Sequence, residues 1–419
     1  MTFPAYPEYK DSGVEWLGKV PEHWSVFSLK HVVSMRSGEQ ITSEDIKAEG
    51  EYPVFGGNGL RGYFDRYTHE GNYCLIGRQG ALCGNINFAN GKFWASEHAV
   101  VVTPKTEVDV YWIGMLLQSM NLGQYSTSAA QPGLSVEALG NLKIPFVSFD
   151  EQKIIGNFLD YETSKIDALI QEQKQLIELL NEKRQSIISN AVCRGLDPNV
   201  SMKDSGFEGI GMIPLDWSIV RFSRIINKIK DGTHGTFIRV ADGFPLLSAK
   251  NVNNNRLEID DVESMICKED HEEITSNGFP QKGDLLLTIV GTIGRSCVYN
   301  LDYPVSFQRS VCFIRLEMKN NANFFNYLFQ SDFFQTQLTL KSKSSAQAGV
   351  YMGDVASLSV IFPPNFEKQK LISKFLDEKT SELNSLIGEA KTAVALLQER
   401  RSALITAAVC GQIDVRGFE

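Results

Sequence analysis

The chain has 419 residues, 43% hydrophobic and 22% charged, with a formal net charge of -9. These proportions fit a globular protein with room for two or three cores, and disorder is not expected. The longest apolar run, Leu285–Val290, falls far short of the roughly 20 residues that cross a bilayer, so a soluble cytoplasmic protein without a membrane partner is expected. Seven cysteines without a C-x-x-C pair are expected to be buried reduced thiols, with neither disulfides nor structural zinc. The acidic balance speaks against a free-standing nucleic-acid binder. Residues 1–149 carry 11 basic against 15 acidic side chains, and 196–366 carry 16 against 19. Any DNA surface must then be a local patch, which suffices where other subunits hold most phosphate contacts.

Read in chain order, the first element is Lys10–Ser25, which recurs 193 positions later as Lys203–Ser218 with 9 of 16 positions identical. Such a repeat governs every later reading. Each copy opens a region with the same outline: strand, glycine turn, strand, at Gly71–Leu75 and Gly80–Gly84, then at Gly283–Leu287 and Gly291–Gly294. An apolar helical stretch follows (Tyr111–Met120; Phe324–Leu338), then a Ser/Thr/Gln loop (Ser126–Gln131; Ser342–Gln347). An apolar strand then runs toward proline (Leu142–Pro145; Leu358–Pro364). A second match, at an offset of 217, pairs Gln152–Asp197 with Gln369–Asp414.

These last segments lack Pro and Gly over most of their length and place apolar residues at heptad spacing. Ile166, Ile170, Gln173, Ile177, Leu180 and Ile187 form one stripe, and Leu383, Ile387, Ala390, Val394, Leu397 and Leu404 its equivalent, with one position skipped. A helix of about 38 residues is close to 57 Å long and projects beyond a single globule. Packing within one core is the blander account of such a stripe. The duplication favours a spacer instead, each helix being the other's simplest partner. The expected fold is α+β: two α/β domains joined by two long helices in an antiparallel coiled coil, with a pseudo-two-fold internal repeat. The boundaries are 1–149 for the first domain, 150–195 for the central helix, 196–366 for the second domain, and 367–419 for the C-terminal helix and tail.

Catalytic signatures are missing. Phe55–Gly59 superficially matches an F-x-G-x-G methyltransferase loop, but no apolar strand precedes it and no helix follows. The nearest thing to a base-gripping N-P-P-aromatic segment is Phe362–Asn365, and no phosphate loop occurs. The six histidines show no metal spacing.

With these residues assembled, Lys10–Trp24 resembles the opening of the specificity subunits of type I restriction-modification systems. Ile361–Gln369 resembles the segment by which their recognition domains enter a conserved helix, and Ala408–Asp414 the close of that helix. The resemblance covers essentially the whole chain, although Ile144–Gln152 lacks the expected proline pair. It implies a noncatalytic subunit whose two target-recognition domains each read half of a bipartite, asymmetric site in double-stranded DNA. The helices would set the half-site spacing and dock two methylation subunits. Those partners would bind S-adenosylmethionine and methylate adenine, and restriction subunits would add ATP- and Mg-dependent translocation and cleavage. No cofactor is expected in this chain. A self-contained methyltransferase or nuclease with unfamiliar motifs, and a structural adaptor, are the other two accounts.

Base edges call for Arg or Lys toward guanine and Asn or Gln toward adenine. The candidates in the first domain are Arg36, Ser37, Asn58, Arg61, Arg78, Gln79, Asn85 and Lys92. In the second they are Lys230, Thr233, His234, Lys250, Asn251, Arg295, Arg309 and Lys343. Arg78 and Gln79 stand out because their counterparts in the second copy are Ile289 and Val290; a position that changes from polar to apolar suits two different targets. Trp24 and Trp217 recur at matched positions and read as core anchors.

Overall fold

The computed structural model describes residues 3–80, 82–126, 133–207, 209–260, 262–276, 278–342 and 349–418. It divides into two units, Met1–Lys174 with Lys391–Glu419, and Gln175–Ala390. Each unit begins its globular part with the same short hairpin. In the first, Tyr9–Asp11 pairs with Lys19–Pro21; in the second, Met202–Asp204 pairs with Met212–Pro214. The next strand of each returns to the end of its globule, Ser25–Ser28 against Lys143–Phe146 and Ser218–Arg221 against Ser359–Phe362.

The first unit is built on a six-stranded sheet in the order Val33–Ser37, Ala99–Pro104, His69–Gly77, Ile86–Ala95, Tyr52–Gly56, Gly59–Phe64. All pairs are antiparallel except Tyr52–Gly56 with Ile86–Ala95. One face, with Val33, Met35, Cys74 and Ile76, joins the main core under the helix Val110–Ser119. Asp109 caps that helix by accepting from the Trp112 amide at 2.7 Å, a contact typically worth about 1 kcal/mol. Gly114 permits the close approach of helix and sheet, because a Cβ there would fall 2.4 Å from the Phe88 ring.

The second unit repeats this plan with shorter strands. Ile226–Asp231, Val311–Leu316, Leu285–Thr288 and Ser296–Val298 form an antiparallel sheet, beside a second sheet of Met265–Ile266, Phe244–Leu247 and Ser306–Phe307. The helix Ala322–Gln330 is capped by Asn321, which accepts from the Phe324 amide at 3.0 Å. This unit adds a small hairpin, Val252–Asn253 with Arg256–Leu257, and a helix, Lys268–Thr275.

The two long helices run Phe149–Arg194 and Phe366–Val409. In the first unit Ile155, Phe158 and Leu159 share a core with Ile405, Ala408 and Val409. In the second, Ile188, Ala191 and Val192 share one with Ile372 and Leu376. The beginning of each helix therefore lies beside the end of the other, the antiparallel coiled coil. Of the seam residues, Ile166, Ile170, Leu383 and Ile387 are buried, while Ile177, Leu180, Ile187, Val394, Leu397 and Leu404 are half-buried. Toward the ends the buried role passes to Ile188 and Ile405. The heptad position that the apolar stripe skips holds Arg184 and, 217 residues on, Arg401. Arg401 bonds Asp167 at 2.9 Å in the first unit, and Arg184 bonds Asn384 at 2.7 Å in the second.

A buried glutamine joins each globule to its helix. Gln152 accepts from the Asp109 amide at 2.9 Å and donates to the Val147 carbonyl at 2.8 Å. Gln369 accepts from the Asn321 amide at 2.7 Å and donates to the Pro363 carbonyl at 2.8 Å. Trp24 and Trp217 are buried core anchors beside these joints. The preceding residue differs between copies. Glu151 is buried and accepts from Tyr6 Oη at 2.8 Å and Trp24 Nε1 at 3.1 Å, with His23 Nε2 at 2.9 Å. Lys368, in its place, forms an exposed pair with Asp216 at 2.7 Å. The chain ends meet in the first unit, where the Asp414 amide donates to the Pro4 carbonyl at 2.7 Å.

All seven cysteines are free. Burial pushes the thiols of Cys74, Cys193, Cys297 and Cys410 up to about 12, leaving them protonated and unreactive near neutrality. Among the described residues no helix is long and apolar enough to cross a membrane, and no group of His, Cys, Asp and Glu has metal-ligand geometry.

Candidate nucleic-acid interface

The two copies share one backbone frame beyond the end of the central sheet strand. In the first unit the Arg78 amide donates to the His98 carbonyl at 2.9 Å, and the Arg78 carbonyl accepts from the Leu134 amide at 3.0 Å. In the second, the Ile289 amide donates to the Ser310 carbonyl at 2.9 Å, and the Ile289 carbonyl accepts from the Val350 amide at 2.9 Å. Gln79 bridges to Gly133 as Val290 bridges to Gly349. Gly80 and Gly291 follow, at φ +90° and +78°, where a side chain would be strained. Gly38 and Gly232 also match, since a Cβ on either would fall 2.1 Å from a carbonyl oxygen, of Ala95 or Phe307. On this common frame the side chains differ.

In the first unit, Asn58, Arg61, Gln79, Leu82 and His98 line an open depression of about 490 Å³. The Arg61 stem crosses Gly56, where a Cβ would meet its Cδ at 2.4 Å. Asn85 Nδ2 donates to Asn58 Oδ1 at 3.4 Å. Arg78 lies half-buried on the other side of the short tongue Arg78–Gly80, with Nη1 donating to Ser37 Oγ at 3.0 Å. Six of the eight candidates thus surround one loop: Ser37, Asn58, Arg61, Arg78, Gln79 and Asn85. The other two stand apart. Arg36 is exposed on the sheet face opposite Val33 and Met35. Lys92 pairs with Glu70 near the far end of the hairpin, roughly 20 Å along the strand. Its ammonium sits 4.7 Å from the centre of the Tyr67 ring.

In the second unit, the space between Ile289 and Asp231, the partner of Cys312 as Ser37 is of Val100, is a depression of about 570 Å³. His234, Val290, Arg309, Tyr351 and Met352 also line it. His234 Nε2 lies 2.7 Å from Asp231 Oδ2. Thr233 frames this edge, its hydroxyl accepting from the Gly235 amide at 3.1 Å while its carbonyl accepts from the Arg309 amide at 2.9 Å. Lys230 is half-buried one residue before Asp231.

Asn251 requires correction: it is 2% exposed and wholly engaged in folding. Its Oδ1 accepts from the Ser248 amide at 2.9 Å, and its Nδ2 donates to the Glu258 carbonyl at 3.0 Å and Glu263 at 2.6 Å. Lys250 reaches the same carboxylate at 2.9 Å, so its charge is neutralised within the fold. Burial by itself would raise Glu263, but the hydrogen bonds from Lys250, Asn251 and the Ser264 amide outweigh it and hold the carboxyl below its ordinary range. Arg295 is half-buried with Nη1 on Asn253 at 3.3 Å, away from the depression. Lys343 lies outside the described residues.

Sequence reasoning missed Leu82, His98, Asp231, Tyr351 and Met352. A search for Arg, Lys, Asn and Gln passes over them. Only alignment of the two copies on Gly80/Gly291 and Gly133/Gly349 brings them into view.

The family described as "Type I restriction modification DNA specificity domain" matches residues 21–179 and again 214–394. The type I restriction enzyme EcoprrI specificity subunit of Escherichia coli is 44% identical over 137 residues, 32% of this chain and 34% of that protein. The type I restriction enzyme MjaVIII specificity subunit of Methanocaldococcus jannaschii is 24% identical over 425 residues, 96% of this chain and 95% of that one. A solved structure from a study of complex assembly and conformational transition in the type I R-M system shares the fold, with TM-score 0.67 at 12% identity, over 93% of this chain and 98% of that one. Matched twice over most of its length, the chain belongs to the family of type I restriction-modification DNA specificity subunits.

Proposed function

We propose that each unit reads one half of a bipartite, asymmetric DNA site with the side chains around its tongue, Arg78–Gly80 in one and Ile289–Gly291 in the other. The observation that carries this reading is the shared hydrogen-bond frame bearing different side chains: a common mount with two different readers. Arg61, Gln79 and Asn58 offer the donors and acceptors that recognise purine edges in the major groove. The antiparallel helices set the half-site spacing and dock two methylation subunits and, with them, restriction subunits. S-adenosylmethionine, ATP and Mg belong to those partners. Neither unit carries a basic field, so phosphate neutralisation falls largely to the partners.

The test is methylation mapping with the complex of this chain and its methylation subunit. Arg61→Ala and Gln79→Ala are expected to relax the base preference in one half-site and leave the other unchanged, because the readers sit in separate units. A bidentate base contact carries roughly 1–3 kcal/mol of discrimination. Methyl transfer by this chain alone, or equal loss at both half-sites, refutes the proposal.

A further inference from the structure

We infer that the second unit recognises the 5-methyl group of a thymine, with Tyr351, Val290 and Met352 as its specificity-determining side chains; this rests on the reading that the tongue faces base edges. The inference begins with Tyr351. It opens the short helix Met352–Ser357 at the N-cap position. Its equivalent, Ser135, opens Val136–Asn141 and accepts from the Ala138 amide at 3.3 Å. Serine is among the best N-caps, whereas a large aromatic is a poor one. Helix capping therefore does not account for a tyrosine here, and its side chain stands 67% exposed.

The neighbours have the same character. Val290, half-buried, replaces exposed Gln79, and Met352, half-buried, borders Tyr351 over a floor of buried Ile289 and Val350. Apolar atoms lining an open depression gain free energy only when another apolar group covers them. Along the major groove one base edge carries such a group, the C5 methyl of thymine, while every other edge presents donors and acceptors. The rim carries an acidic side chain, Asp231, together with two basic ones, His234 and Arg309.

The experiment uses the complex with the methylation subunit and duplexes carrying the mapped target, in which single thymines are replaced by deoxyuridine. That change removes the methyl and nothing else. At one or two positions of the second half-site, affinity should fall roughly fourfold, the value of one buried methyl. Tyr351→Ser and Val290→Gln, which install the residues of the first unit, should abolish that sensitivity. The inference is overturned if uracil is tolerated at every thymine of the second half-site while those variants still alter its base preference; the tongue reading then survives. If the variants leave the base preference of the second half-site untouched, the tongue reading itself fails there. Loss of methylation-subunit binding by Tyr351→Ser with DNA preference intact would assign the patch to a protein contact and overturn the inference.

Discussion

Replacing Glu151 by alanine removes the acceptor shared by two buried donors, Tyr6 Oη at 2.8 Å and Trp24 Nε1 at 3.1 Å. A buried donor left without a partner costs about 1–3 kcal/mol. Two give about 2–6 kcal/mol, and water admitted to the vacated space trims this toward about 2–4 kcal/mol. His23 adds little, because its side chain is 46% exposed and turns to solvent. The matched control is Lys368→Ala. Its pair with Asp216 has side chains 53% and 51% exposed, so the expected loss is below about 0.5 kcal/mol. Denaturant unfolding followed by tryptophan fluorescence reports on the first unit, which holds Trp16, Trp24, Trp94 and Trp112 against Trp217 in the second. Glu151→Gln, retaining one carbonyl oxygen, should fall between wild type and alanine. Equal small losses for Glu151→Ala and Lys368→Ala would refute the assignment of Glu151 as a structural acceptor.

Burial lowers the pKa of His271, which stacks on Phe244 with ring centres 4.2 Å apart and bonds Ser306 Oγ at 2.8 Å. A depressed value means that its stability contribution is complete above the unfolded pKa of about 6.5 and is lost as pH falls through that value toward the folded one. Denaturation midpoints of the second unit should drop between pH 7.5 and 5.5, and His271→Gln should flatten that dependence; parallel profiles would contradict it. A circular permutant opened near Asn199, with the native ends joined, should fold and keep its target, since Asp414 already bonds Pro4; failure with an ample linker would count against it. A chain ending near Asn199 loses Ile405, Ala408, Val409 and Cys410 from the core of the first unit. A second copy can supply Ile188, Ala191, Val192 and Cys193, the same residue types, and pair Arg184 with Asp167 twice. Its solution mass should be that of a dimer, and with the methylation subunit its target should become an interrupted palindrome; a monomer, or a retained asymmetric target, would exclude such self-pairing.

The architecture was legible because it is written twice and periodically. Lys10–Ser25 and Lys203–Ser218 fold into equivalent hairpins, and the heptad stripe is buried at Ile166 and Ile170 but gives way to Ile188 at its far end. The first candidate depression was partly legible because polar side chains crowd a short stretch, Asn58 to Asn85. The second was not. Its residues are gathered from Asp231, Val290, Arg309 and Tyr351, far apart in the chain, and half of its lining is apolar. Asn251 misled because an asparagine, the residue suited to an adenine edge, also closes a capping box when it stands three positions after a serine, here Ser248.

The paired joints at Gln152 and Gln369 make each globule an interchangeable part, mechanically alike but electrostatically keyed. The latch is the same on both sides, so the second reader could be mounted on the first helix without altering how glutamine grips the capping residue. The residue beside the latch would object. Such a graft carries Asp216 into the place of His23 and sets a carboxylate against buried Glu151, where like charges repel strongly. Exchange of readers along this scaffold is therefore favoured for a globule that brings a neutral or cationic residue at that one position and disfavoured for one that brings a carboxylate.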